Sequence, residues 1–135
     1  MITGSLMKDY FIGEIDLSAL IKARKKFELF RQHLNSEQEK AGAIQAFEYC
    51  YELAWKMMKR LLEARGVICN SPRDTFREAA LNNLIFDPEI WFDFIKARNL
   101  TVHTYDEESM RKVLSTFDHF SQELTEFIKN SGISL

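Results

Sequence analysis

The sequence predicts an all-α protein, an antiparallel up-and-down four-helix bundle with one additional short helix. Three observations carry this. Apolar residues recur at alternating spacings of three and four, the period of a helix face. Only 5 Gly and 2 Pro occur in 135 residues, too few for an all-β sandwich with its frequent turns. The 11 Phe, 4 Tyr and 2 Trp supply enough bulk to fill a core. No β-period, internal repeat, low-complexity tract or dividing linker is present, so one domain is expected.

The elements follow in order. Leu20, Ala23, Phe27, Phe30 and Leu34 form the first apolar stripe, behind Asp16 as a candidate N-cap. The first helix is expected from about Leu17 to Leu34. Asn35 to Lys40 reads as a polar connection or a frayed helix start. The second helix carries two neighbouring apolar rows: Ile44, Phe47, Tyr51, Ala54, Met58 and Leu61, and Ala46, Cys50, Leu53 and Met57. A helix apolar over more than half its circumference is buried on two sides. It is expected to be central in the bundle or covered by a second subunit, and the width of this face argues for a homodimer. Gly66 stands where a helix-ending glycine belongs. Ser71-Pro72-Arg73-Asp74 then combines an N-cap, a proline at the first position and an acid in the first turn. That short helix is expected to end near Asn82-Asn83. Asp87-Pro88-Glu89 repeats the start signal for a helix carrying Ile90, Trp91, Phe94, Ile95 and Arg98, which cannot run far past Val102. Asp106-Glu107-Glu108 opens the last helix. It places Met110, Val113, Leu114, Phe117, Phe120, Leu124, Phe127 and Ile128 on one face and ends at Asn130, before Gly132. Residues 15–130 are therefore read as a single helical domain. Met1 to Leu6 fit nothing that follows and Met7 is a candidate natural start. Residues 1–14 are expected to be an N-terminal extension, partly non-native or disordered.

Composition narrows the function. Hydrophobic residues make up 46% and charged residues 28%, near the globular average and unlike a disordered tail. The 18 Lys plus Arg against 20 Asp plus Glu leave a net charge of -2. That excludes a polycation holding nucleic acid by bulk charge, but leaves room for a local basic site. Two cysteines, Cys50 and Cys69, do not make a disulfide framework, and no Cys/His cluster has zinc-ligand spacing. No signal peptide and no apolar run of membrane-spanning length stands out. A cytoplasmic protein without membrane contact is expected.

Most polar residues have an ordinary explanation. Glu48, Glu52 and Lys56 read as i, i+4 partners on a solvated face. Trp55 and Trp91 read as packing, Cys50 as an inert core residue, and His33 and His119 as surface histidines. There is no phosphate loop and no His-Glu-x-x-His. One segment differs: Arg98-Asn99-Leu100-Thr101-Val102-His103-Thr104-Tyr105-Asp106 gathers a fixed cation, an amide, an imidazole, a phenol and a carboxylate at a helix end. Arginine presents a planar fork to phosphate oxygens, and histidine exchanges a proton near neutral pH. Together they are the minimum for cleaving RNA without a metal. A base removes the ribose 2′-hydroxyl proton, the 2′-oxygen attacks the adjacent phosphate, and a cation stabilises the charge that develops. On a continuous helix, however, Arg98 and His103 stand about 140° apart at about 100° per residue. They converge only if the helix unwinds near Val102 or a second subunit supplies its own pair. On spacing alone a helix-end capping cluster is the competing reading.

The pattern Arg-x4-His-x-Tyr, here Arg98, His103 and Tyr105 with Asn99 after the arginine, resembles the signature of the HEPN (higher eukaryotes and prokaryotes nucleotide-binding) domains. The resemblance covers about Ile15 to Phe127. Gly42 to Glu48, Tyr51 to Lys56, Ser71-Pro72-Arg73 and Arg98 to Glu107 are similar to one branch, the nucleotidyltransferase substrate-binding proteins. The resemblance implies a helical bundle, usually a homodimer, working with a separate minimal nucleotidyltransferase. In related two-gene modules the HEPN protein is a ribonuclease toxin and the nucleotidyltransferase is its antitoxin, which transfers AMP to the motif tyrosine. Carried onto this chain, Arg98 and His103 are implied to be catalytic, Asn99 to support the site and Tyr105 to be the modified residue. No metal or cofactor is implied for this chain, and the partner brings ATP or another NTP with magnesium. Val102 is bulkier than the small residue often found before the histidine and is expected to be tolerated, a tighter site being the alternative. Three readings follow: a metal-independent endoribonuclease toxin, a non-catalytic subunit that presents substrate to the nucleotidyltransferase, and a bare structural dimer. For Tyr105 the competing expectation is a ring packed against the helix end with its hydroxyl bonded locally.

Overall fold

The computed structural model describes residues 9–135. The first eight residues of the expected N-terminal extension lie outside the described part. A small antiparallel hairpin, β1 (Phe11–Ile12) and β2 (Ile15–Asp16), opens the chain. Strands of two residues are too short to show an alternating pattern, which is why the sequence hides them. Gly13, at φ +59°, makes the turn. Tyr10, Ile12 and Ile15 pack on the core, so the chain is anchored before the first helix begins.

The bundle is built from α1 (Ser18–Phe30), α2 (Glu37–Ala64), α4 (Pro88–Leu100) and the pair α5 (Glu107–Leu114) and α6 (Phe117–Asn130), with α3 (Pro72–Leu81) as the extra short helix. Helix α1 starts one residue later than Asp16 would set it: Leu17 is the cap position, and the Asp16 carboxylate accepts from the Ser18 amide at 2.9 Å. It ends at Phe30, four residues short of Leu34. There the backbone tightens into an i→i−3 turn, the His33 amide bonding the Phe30 carbonyl at 3.1 Å. Leu34 still packs on the core from that turn, so the apolar spacing outlasts the helix.

The polar stretch before α2 is a formed helix start. Ser36 Oγ accepts from the Glu39 amide and Glu39 Oε1 accepts from the Ser36 amide, each at 3.0 Å, a reciprocal capping box. Ser36→Ala is expected to cost about 1 kcal/mol of stability, read as a lower urea midpoint with unchanged slope; an unmoved midpoint would show that the cap contributes nothing. At the other end Gly66 adopts φ +83° and the Val67 amide returns to the Leu62 carbonyl at 2.9 Å. Ser71 and Asp87 cap α3 and α4 with Pro72 and Pro88 in their first turns.

The single last helix expected from Asp106 to Asn130 is broken at Ser115-Thr116. Both hydroxyls bond back to the Lys112 carbonyl, at 2.8 and 3.0 Å. Such back-bonding bends a helix, and a stripe that stays apolar across the bend does not reveal it.

The core is a continuous aromatic stack. Phe27 of α1, Phe47 of α2, Trp91 and Phe94 of α4, and Phe117 and Phe120 of α6 are all essentially fully buried. Phe120 meets Phe27, Phe47 and Phe94 edge-on at centroid distances of 5.5, 4.9 and 5.2 Å. Polar ties reinforce the seam between α1 and α6. Ser121 Oγ donates to Glu28 Oε2 at 2.6 Å and Arg31 Nε donates to Glu28 Oε1 at 2.7 Å. Burial alone would raise the Glu28 carboxyl, but these bonds outweigh it and hold it below the usual carboxylate range.

Both apolar rows of α2 are covered within one chain: Ala46, Cys50 and Met57 are as buried as Ile44, Phe47, Tyr51 and Ala54, and Leu53 is half-buried. The wide face that argued for a second subunit therefore reflects the central place of α2. Among the described residues no helix is long and apolar enough to cross a membrane.

Candidate functional site

Arg98 stands in the last turn of α4, held against α2. Its Nη1 lies 3.2 Å from Glu48 Oε2 and donates to Thr101 Oγ1 at 3.1 Å. Its Nε faces Glu52 Oε1 at 3.8 Å, too long for a hydrogen bond, and has no other partner. Thr101, buried at the helix end, shares its one proton between Glu48 Oε2 at 3.0 Å and the Arg98 carbonyl at 2.7 Å. Glu52 also accepts from Trp55 Nε1 at 3.1 Å, and Lys56 Nζ approaches it at 3.9 Å. Glu48 and Glu52 are thus more than partners of Lys56 on a solvated face. They are the wall that the arginine leans on, and the Arg98 side chain keeps 30% of its surface exposed.

The α-helix ends at Leu100 by tightening rather than by unwinding. After Leu100 the backbone tightens into a 3₁₀ turn, Thr101–His103, and a further turn leads to Asp106, the cap position of α5. The tightened turn does not join the pair: among the described residues no hydrogen bond or ion pair links Arg98 to His103. His103 instead meets Tyr105. The phenol oxygen lies 3.5 Å from His103 Nδ1, at the outer limit of a hydrogen bond, and the rings stand edge to face with centroids 6.0 Å apart. Tyr105 is 86% exposed, so its ring is not packed on the helix end. Asn99 is also exposed and makes no side-chain hydrogen bond among the described residues. Val102 turns to solvent at 66% exposure and does not crowd the histidine.

A groove of about 760 Å³ opens beside Tyr105, between the start of α2 and the length of α5. Lys40, Arg111, Glu37 and Glu107 lie along it, Lys40 paired with Glu37 at 3.5 Å, with Thr104 and Ser115 as polar lining and Met110 and Leu114 as apolar lining. Elsewhere the nucleophile candidates are quiet. Burial pushes the Cys50 thiol up to about 12 and raises Cys69 as well, and both are buried and free. Burial, then the neighbouring Glu52, also raises the Tyr51 phenol. His119 rests its ring edge on Phe94 and has Glu123 3.9 Å away, a surface contact.

The family described as "nucleotidyltransferase substrate binding protein like" matches residues 16–132. The chain belongs to this family. Two solved structures share its fold. A Haemophilus influenzae protein, described as revealing the fold of a substrate binding domain of a nucleotidyltransferase, is 32% identical with a TM-score of 0.75, over 86% of this chain and 98% of that one. A Thermus thermophilus protein is 26% identical with a TM-score of 0.79, over 84% and 98% of the respective chains. A curated relative from Haemophilus influenzae, "Probable ribonuclease HepT", is 41% identical over 85 residues. That match spans 59% of this chain and 58% of the relative.

Within this family member the sequence located the helix-end cluster but not its support. Glu48, Glu52 and Thr101 touch Arg98 and were invisible as site residues. An i, i+4 carboxylate pair on a helix looks the same whether it faces solvent or an arginine across the bundle. The only available signal was that Glu48 and Glu52 lie one turn apart on the longest helix, with no basic residue one turn before Glu48 to neutralise it.

Proposed function

We propose that this chain is the partner subunit of a separate minimal nucleotidyltransferase and is itself a metal-independent endoribonuclease. The observation that carries the reading is the helix end: α4 gives way after Leu100 to a 3₁₀ turn, and His103 and Tyr105 stand exposed together five and seven residues past an arginine that is anchored but not enclosed. In the reaction His103 takes the proton of a ribose 2′-hydroxyl. The 2′-oxygen then bonds to the adjacent phosphorus, the bond to the 5′-oxygen breaks, and that oxygen takes up a proton. Arg98 offers its Nη2, which makes no hydrogen bond among the described residues, to the charge developing on the phosphate. The products are a 2′,3′-cyclic phosphate and a 5′-hydroxyl. Asn99, beside Arg98, would support the site by orienting the RNA backbone. ATP or another NTP and magnesium belong to the nucleotidyltransferase. The homodimer is part of the same proposal, and its support is the family resemblance rather than the α2 face.

The second reading, a non-catalytic subunit that presents substrate to the nucleotidyltransferase, is favoured by one observation: Glu48 and Glu52 already offset the charge of Arg98. Expression of the chain alone and together with its nucleotidyltransferase separates the two. The ribonuclease reading expects growth arrest and degraded RNA with the chain alone, relieved by the partner. Intact RNA and normal growth in both cases would leave only the presenting subunit.

A further inference from the structure

We infer that Glu48 and Glu52 are positioning residues that hold the Arg98 guanidinium at Nη1 and Nε so that Nη2 faces the scissile phosphate. The inference rests on the ribonuclease reading and goes beyond it by assigning a role to α2, a helix that carries no part of the Arg-x4-His-x-Tyr motif. A free arginine side chain samples many rotamers, and ordering it at the moment of reaction costs entropy. Here the ordering is already in place. Nη1 is fixed by Glu48 Oε2 at 3.2 Å and Thr101 Oγ1 at 3.1 Å, and Nε is turned toward Glu52 at 3.8 Å. These contacts engage Nη1 and Nε, and Nη2 makes no hydrogen bond among the described residues, which leaves it for an anion.

The holding groups are themselves held. Thr101 Oγ1 bonds Glu48 and caps the Arg98 carbonyl, and Trp55 Nε1 anchors Glu52 at 3.1 Å. Arg98 is therefore fixed from two helices through a network whose members each have a second anchor, as a preorganised electrostatic site requires. The same carboxylates set an opposing effect. Two negative charges behind one positive charge repel an incoming RNA phosphate, so the clamp weakens binding while it improves placement. This opposition distinguishes positioning from a simple tie between α2 and α4.

Steady-state cleavage of a short single-stranded RNA by purified Glu48→Ala, Glu48→Gln and Glu52→Gln, each checked for folding by thermal unfolding, tests it. Glu48→Gln keeps a carbonyl oxygen for Nη1 and is expected to retain most of kcat with a lower KM, because one repelling charge is gone. Glu48→Ala releases the guanidinium and is expected to lose about 10- to 100-fold in kcat, the cost of misplacing a reacting group by about 1 Å, while KM stays level or falls. Glu52→Gln, which keeps the Trp55 bond, is expected to follow Glu48→Gln. If Glu48→Ala cleaves at the wild-type rate, or if kcat falls only in proportion to lost folded protein, the positioning role is overturned while the ribonuclease stands. If all variants lower kcat and raise KM together, the clamp is a structural tie and the inference is likewise overturned. A wild type that does not cleave overturns the ribonuclease reading, and this inference with it.

Discussion

On the ribonuclease reading His103→Ala is expected to lower RNA cleavage by about 10²- to 10⁴-fold, the range a general base contributes, and to leave the fold intact. The side chain is exposed and, among the described residues, its one hydrogen-bond contact is the 3.5 Å approach of the Tyr105 phenol, so its removal opens no cavity and strands no buried group. A surface change of this kind stays within about 0.5 kcal/mol of wild-type stability. Arg98→Ala is expected to cost about 10²- to 10³-fold, the value of one preorganised charge-stabilising group. It differs from the histidine variant in one respect. Glu48 and Glu52 lose their partner, so some stability is lost with it, and activity must be compared at equal folded fraction. End-group analysis checks the chemistry: the cut 3′ ends carry a 2′,3′-cyclic phosphate, and chelator leaves the rate unchanged. Cleavage by His103→Ala at the wild-type rate would remove the imidazole from the mechanism. Inhibition by chelator that magnesium reverses would remove the metal-free step.

The legible parts of the fold are those whose signals are local. Ser71-Pro72 and Asp87-Pro88 act through their own backbone and the next turn, so α3 and α4 begin where the sequence places them. Gly66 ends α2 region for a reason contained in one residue, its positive φ. Errors arise where an apolar row continues beyond the backbone state that produced it. Leu34 packs on the core from a turn, and Phe117 continues the stripe of α5 across the Ser115-Thr116 bend. The width of the apolar face of α2 was correctly visible, but the sequence could not say whether another helix or another chain covers it. One chain does. At the site the same division holds. The chemistry of Arg98, His103 and Tyr105 is written in residue types within eight positions. The partners of Arg98 lie some fifty residues away on α2, and only tertiary packing brings them together.

AMP transfer to Tyr105 is expected to silence the nuclease without unfolding the bundle. The phenol is 86% exposed in the connection between α4 and α5, where the active site of another enzyme can reach it. In the transfer the phenol oxygen bonds to the α-phosphorus of ATP, the bond to the β-phosphate oxygen breaks, and pyrophosphate leaves. The phenol proton passes to a base of the nucleotidyltransferase. The product places a negatively charged phosphate two residues from His103. It competes for Arg98 Nη2, the edge that RNA phosphate needs, while the groove of about 760 Å³ beside Tyr105 gives the adenosine room to lie against the protein. Glu37 and Glu107 balance Lys40 and Arg111 along that groove, so its lining adds no net charge. On this reading silencing is expected to be both steric and electrostatic. Incubation with the nucleotidyltransferase, ATP and magnesium, followed by intact mass, is expected to show whole AMP units added to the wild type and none to Tyr105→Phe. Because the phenol contributes only a long contact to His103, Tyr105→Phe is expected to keep cleaving near the wild-type rate and to resist silencing. AMP units on Tyr105→Phe would move the acceptor to another residue. A wild type that stays unmodified by an otherwise active nucleotidyltransferase would end the silencing mechanism and leave the protein as a subunit that presents substrate.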